Sequence, residues 1–400
     1  MVSKLKLNKS LKLAFKILLS AILILIISLS VLILGIYNNH SSIKKLIINE
    51  LNKSLQTEIS VKDITFSVFE NFPNVSFNFK GIIAKDATNE IKKGNLLVAD
   101  NISIEFNLWD IYNKKYIIKK INVKRAKIIL KVDNQGNDNF HFWKSDKNIS
   151  KKQLSFNLKN ISFNNTELIY VNSAIHQYYN INLINVKSRF YSAENLNKFK
   201  LSGNILLNTF QSEDIVYFST RNVNLSIKAS IDENLKNIRI EKSSFDFDKS
   251  AYIIEGNIGY GKKNQIVDIS FKGKNIRLVQ ILENLPENLK TNLSQYKSKG
   301  IFDINIKIDG LYGGLNIPDV NASFKLNDGE FYYPGNKVKM ANIQLEGNFN
   351  NGKKSNSRKN QLNISKISGK IDNSLFYGSF SITDFSNPLL NSNINGRINL

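Results

Sequence analysis

Residues 302–309 read Phe302-Asp303-Ile304-Asn305-Ile306-Lys307-Ile308-Asp309, apolar and polar side chains in strict alternation. A β-strand sends successive side chains to opposite faces, so Phe302, Ile304, Ile306 and Ile308 share one face. A helix would scatter the same residues around its axis. Val223, Leu225 and Ile227 alternate in the same way with Asn224, Ser226 and Lys228. So do Val75, Phe77 and Phe79, and again Ile102, Ile104 and Phe106. Turn-forming Asn, Gly, Ser and Lys separate these runs. One apolar and one polar face per strand describes antiparallel sheet wetted on one side. The chain is therefore expected to be mainly β.

A shorter unit, apolar-x-Gly-x-apolar, recurs inside these runs. It stands at Leu201–Ile205, Ile254–Ile258, Leu345–Phe349, Phe376–Phe380 and Ile394–Ile398. Period two puts each glycine on the face of its apolar neighbours. Glycine within a strand marks a bend or a close backbone approach. The recurrence predicts a curved sheet of repeated units, an elongated gutter. The copy at Ile394–Ile398 keeps the alternation running to Leu400, which predicts further strands beyond residue 400.

Two helical interruptions stand apart. Ile43, Leu46, Ile47, Leu51 and Leu55 recur at helical spacing behind Ser41 and Ser42, which suit an N-cap. This short amphipathic helix would plug one end of the sheet. Leu278, Ile281, Leu282, Leu285, Leu289 and Leu293 form a second stripe, broken at Pro286 into two short helices.

Ahead of all this, Lys4, Lys6, Lys9, Lys12 and Lys16 precede the uncharged stretch Ile17–Tyr37. A helix of about 20 residues rises about 30 Å, the thickness of a bilayer's hydrocarbon. The lysine excess predicts a cytoplasmic N-terminus and a bulk on the far side of the membrane. A cleaved signal peptide has a shorter apolar run and a small-residue cleavage site. Leu34-Gly35-Ile36-Tyr37 offers neither. The organisation expected is a basic tail at 1–16, a transmembrane anchor at 17–37, a first domain at 41–150 and a repeated β-groove at 151–400.

The composition opposes chemistry. The chain has no Cys and three histidines, His40, His141 and His176, scattered without spaced carboxylates. That excludes disulfides and thiolate metal sites, and leaves no zinc set and no catalytic triad. Gly256–Lys263 brushes a phosphate-binding loop, but Lys263 stands where the Mg²⁺-binding hydroxyl belongs. A hairpin turn is expected there. Asp133–Asp138 lacks the closing Glu of a calcium loop, and reads as a turn. The Phe140, Phe142 and Trp143 that follow read as core packing, a strand edge or a membrane-facing lip. The net charge of +22 is spread along the chain without a dense basic block, so no nucleic-acid partner is expected. Neither an enzymatic activity nor a cofactor is expected.

From the anchor to Trp143 the chain resembles the start of AsmA-family proteins. The resemblance rests on the helix 43–55 directly after the anchor, then Phe72-Pro73-Asn74-Val75-Ser76-Phe77, Leu108-Trp-Asp-Ile111 and Ile118–Val132. Asp133, Gly136 and Asn139 match a D-x-x-G-x-x-N turn, and Gly329–Gly335 and Ile367–Gly378 look like the downstream repeats. The resemblance implies a single-pass inner-membrane protein of a Gram-negative envelope with a chorein-like domain at 41–150. It implies a build like TamB and the chorein-type lipid-transfer proteins, whose β-gutters hold acyl chains. The expected function is binding or conduction of phospholipid between inner and outer membrane, in support of outer-membrane biogenesis. The groove lining would include Val223, Leu225, Ile227, Phe302, Ile304, Ile306 and Ile308. Roughly twenty strands about 4.8 Å apart would give a groove near 100 Å long. Residue patterns leave an alternative open: an assembly factor for outer-membrane proteins, with envelope-protein partners and a filled β-sandwich core.

Overall fold

The computed structural model describes residues 57–397, apart from 72, 87–93, 114–116, 141–159, 194–195, 213–214, 233–235, 248–249, 261–264, 284–296, 313–315, 336–337 and 353–359, together with Ile48 and Asn52. The transmembrane span predicted at 17–37 lies outside these residues, and so do His141, Phe142 and Trp143. Among the described residues no helix is long and apolar enough to cross a membrane.

The described residues form seventeen strands. They are β1 (Ile59–Asn71), β2 (Asn74–Lys85), β3 (Asn95–Asn107), β4 (Ile118–Val132), β5 (Ile161–Asn172), β6 (Gln177–Ala193), β7 (Leu196–Ser212), β8 (Ile215–Asp232) and β9 (Asn237–Phe247). There follow β10 (Ser250–Tyr260), β11 (Gln265–Arg277), β12 (Lys297–Tyr312), β13 (Asp319–Tyr333), β14 (Val338–Asn350), β15 (Gln361–Ile371), β16 (Ser374–Thr383) and β17 (Leu389–Gly396). Each strand pairs with the next, so they make one long, curved, unclosed sheet running in chain order from β1 to β17. The mainly-β expectation holds. The two-sheet sandwich does not fit, because the strands belong to a single sheet.

The ladders are antiparallel except one. β4 and β5 run parallel, Ile121 facing Ile161 and Val132 facing Asn172. A parallel pair needs a long crossover, and residues 133–160 supply it. The near-miss at Gly256–Lys263 joins β10 to β11 as a hairpin, Tyr260 facing Gln265.

Helix α1 (Leu108–Tyr112) links β3 to β4, and α2 (Leu278–Glu283) links β11 to the segment before β12. Helix α2 is the first half of the predicted Leu278–Leu293 stripe. Its Leu278 and Leu282 pack on Leu326, Ile343 and Phe302. Its Gln280 accepts a hydrogen bond from the Ser250 hydroxyl at the start of β10. Ile48 and Asn52, both helical, belong to the predicted plug: Ile48 packs beside Ile64 and Phe79. The Asn52 amide covers the edge of β1, accepting from Ile59 N at 2.9 Å and donating to Ile59 O at 3.4 Å.

The strands are bent along creases. In β2, β4 and β5 the residues Gly81, Arg125 and Asn165 have φ of 60°, 46° and 48°. Register places them in one line with Asp100 of β3 and Ile184 of β6. Such left-handed residues bend and twist a strand without breaking its register, since one residue still faces one across the line. Each also shifts the alternation by one, so the step to the next residue on the same face is three rather than two. Phe79 is followed on its face by Ile82, Val123 by Ala126 and Phe163 by Thr166. Asn275, Asp328 and Asn342, with φ of 55°, 51° and 52°, mark a second crease through β11, β13 and β14.

Candidate functional site: an apolar groove floor

A single row of facing residues crosses the sheet. Its first half runs Ile64–Phe79–Ile102–Val123–Phe163–Val186 from β1 to β6. It continues through Gly203, Leu225, Phe245, Tyr252 and Gly273 on β7 to β11. It ends with Ile304, Phe324, Gly347, Ile364 and Phe380 on β12 to β16. Every member is apolar or glycine. Directly paired side chains lie about 4.5–5.5 Å apart, so the row is a continuous apolar strip rather than separate clusters.

This face is concave. Val186 is 0 % exposed although no second sheet covers it. A side chain on a flat single layer stays open to water, so the strands must wrap around it. On β6, burial pushes the Tyr179 hydroxyl above the ordinary tyrosine range, with smaller contributions from Tyr170 and Tyr312.

Both predicted sets of lining residues lie on this face. Leu225 is in the row, and Val223 and Ile227 pack around it with Ile205 and Val186. Ile304 is in the row, flanked by Phe302 stacked on Phe324 at 6.0 Å. Ile306 faces Phe271 and Ala322, and Ile308 faces Ile269 and Val320. Ile304, Ile306 and Ile308 are only half-buried, unlike a filled core. Phe245, Tyr252 and Phe271 form a mutual aromatic cluster, centroids 5.4–5.7 Å apart, that joins the two sets.

The repeated motif places its glycines on the apolar face; two of them, Gly203 and Gly347, stand in the row together with Gly273, and all three have a steric reason. At Gly203, φ is +141° and a Cβ would drive into the backbone carbonyl of Asn185. At Gly273 a Cβ would meet Ile276 and the Tyr252 ring, and at Gly347 the Phe324 ring at 2.8 Å. Gly273 lies outside the repeated motif. Its signal was its place directly between Phe271 and Ile276, where an alternating strand would carry an apolar side chain.

The outer face is polar and cross-linked. Lys272 pairs with Glu255 at 3.0 Å, Lys325 with Glu346 at 2.9 Å, and Lys307 with Asp268. The Lys325 ammonium holds the exposed Glu346 carboxyl below its ordinary range. Such exposed pairs are screened by solvent, add little stability, and chiefly keep this face in water.

The D-x-x-G-x-x-N turn is a latch. Asn139 is 0 % exposed. Its Oδ1 accepts from Lys131 N at 2.8 Å, and its Nδ2 donates to Ile129 O at 2.9 Å and Asp86 Oδ1 at 2.7 Å. Asp86, with its side chain 2 % exposed, also pairs with Lys131 at 3.0 Å. At the turn's start the Asn137 amide holds the Asp133 carboxyl below its usual range. The loop is saturated internally, which fits a structural turn rather than a calcium loop. Among the described residues no group of His, Asp and Glu is placed to hold a metal ion. Set against family models, curated proteins and solved structures, the chain matches none of them.

Proposed function

We propose that this chain binds lipid acyl chains along its groove floor and conducts phospholipid between two membranes. The observation that carries the reading is the unbroken apolar row from Ile64 to Phe380 on the open side of one curved sheet. An apolar wall of constant character gives a tail nearly the same transfer free energy at every position, so movement along it needs no covalent step. The headgroup would ride at the open mouth. In this proposal the uncharged stretch 17–37 anchors the chain in an inner membrane, with the sheet in the periplasm, as the resemblance to AsmA-family proteins suggests.

The test is lipid extraction and mass spectrometry of the full chain purified in a non-lipid detergent. Phospholipid in defined stoichiometry supports the reading. A lipid-free chain that instead captures outer-membrane proteins would support the assembly-factor role and overturn this one.

A further inference from the structure

We infer that the rim at the joined ends of β11 and β12 is where the groove meets a bilayer; this rests on the lipid reading above. The large apolar residues exposed there are Ile266 at 61 %, Leu311 at 40 %, Tyr312 at 51 % and, just beyond β12, Ile317 at 56 %. Register explains the arrangement. Gln265 faces Tyr312 and Ile266 faces Leu311. Tyr312 continues the alternation of Ile304, Ile306 and Ile308, so it belongs to the groove face. Ile266 and Leu311, one residue out of phase, belong to the outer face. The apolar surface therefore passes over the lip from inside to outside at this place.

The opposite ends of the same two strands are different. They carry exposed Arg277, Lys297 and Lys299. A lipid leaving over that rim would meet these cations first, whereas the Tyr312 lip presents Ile266, Leu311 and Tyr312 side by side. A tyrosine among branched aliphatics also suits the boundary between headgroups and hydrocarbon. Patches of this kind on a soluble surface mark interaction sites. The lip is continuous with the groove face through Tyr312, which favours as its partner the source of the groove's cargo, a phospholipid bilayer.

The chain has no native cysteine, so single labels are unambiguous. The full chain, reconstituted into phosphatidylethanolamine–phosphatidylglycerol vesicles, would carry an environment-sensitive fluorophore at Ile266→Cys or, as the opposite-rim control, at Lys299→Cys. Nitroxide-bearing lipids are expected to quench the Ile266→Cys label several-fold more than the control. Equal quenching at both rims, or none at Ile266→Cys, overturns the inference. Protection of that label only when envelope proteins are added does so too, because the partner is then a protein. The double variant Ile266→Ser, Leu311→Ser should slow lipid uptake from vesicles several-fold while leaving the lipid content at saturation unchanged. Should the chain hold no lipid under any condition, the groove reading fails, and quenching still reports separately whether the lip meets the bilayer.

Discussion

Gly203 and Asn139 show how single residues set this architecture. Gly203→Ala puts a methyl into the Asn185 carbonyl at a φ that L-residues avoid, with no flexible side chain to yield. We expect a loss of at least about 2 kcal/mol in denaturant titration. Gly259→Ala is the control, since its nearest neighbour would lie 3.6 Å away; it should change stability by less than about 1 kcal/mol. Asn139→Ala removes three hydrogen bonds and leaves the buried Asp86 with Lys131 alone. A cost of roughly 2–4 kcal/mol is expected, much of it from the carboxylate left under-satisfied. Asp133 has a native pKa below its unfolded value, so its contribution is present at neutral pH and lost as pH falls through the acidic carboxylate range. Asn137→Ala should flatten that acid limb in thermal melts across pH. An unchanged limb would show that Asp133 does not sense Asn137.

Within elements, the alternation of β12 was plain to read: Phe302 to Ile308 lie on the groove face as the sequence indicated, and Val223 to Ile227 beside them. What escaped reading was the crease. Strict period two does not hold along whole strands: Phe79 to Ile82 and Val123 to Ala126 are steps of three. A step of three in an otherwise alternating run is the trace a crease leaves, and in one strand it looks like noise. Its meaning comes from neighbouring strands making the same slip at the same height, which requires the register. The parallel β4–β5 joint was equally hidden, because strand direction is not encoded in alternation. Deleting Asn165 should keep Phe163, Thr166, Leu168 and Tyr170 on one face but leave β5 one residue short of the crease that β4 and β6 still carry, so its ladders must slip register. The expected result is aggregation or loss of native circular dichroism. On β12, Ile306→Asp should abolish lipid binding while the chain stays folded, since that side chain is half-exposed in the groove. Ile364→Asp, at a site 3 % exposed, buries a charge and should unfold its region. Equal unfolding by both would argue that the groove is a filled core.

At the scale of the molecule, the sheet is nearly one-dimensional. Each strand touches its neighbours in the chain, and at about 4.8 Å per strand the described sheet extends for about 75 Å. Stability should then be a sum of neighbour terms rather than one cooperative unit. Hydrogen exchange is expected to show blocks of strands with separate protection, weakest toward the exposed β17; uniform protection would contradict this. The chain-order pairing also bears on synthesis. A chain under synthesis emerges N-terminus first, and here nearly every new strand finds its partner in the strand that emerged just before it. Assembly can keep pace with synthesis, leaving little sticky surface waiting. The exception is β5, which must follow the 28 residues of 133–160 before it can settle alongside β4. That is the moment when the nascent sheet is open to wrong partners, and when a chaperone would have its longest opportunity to act.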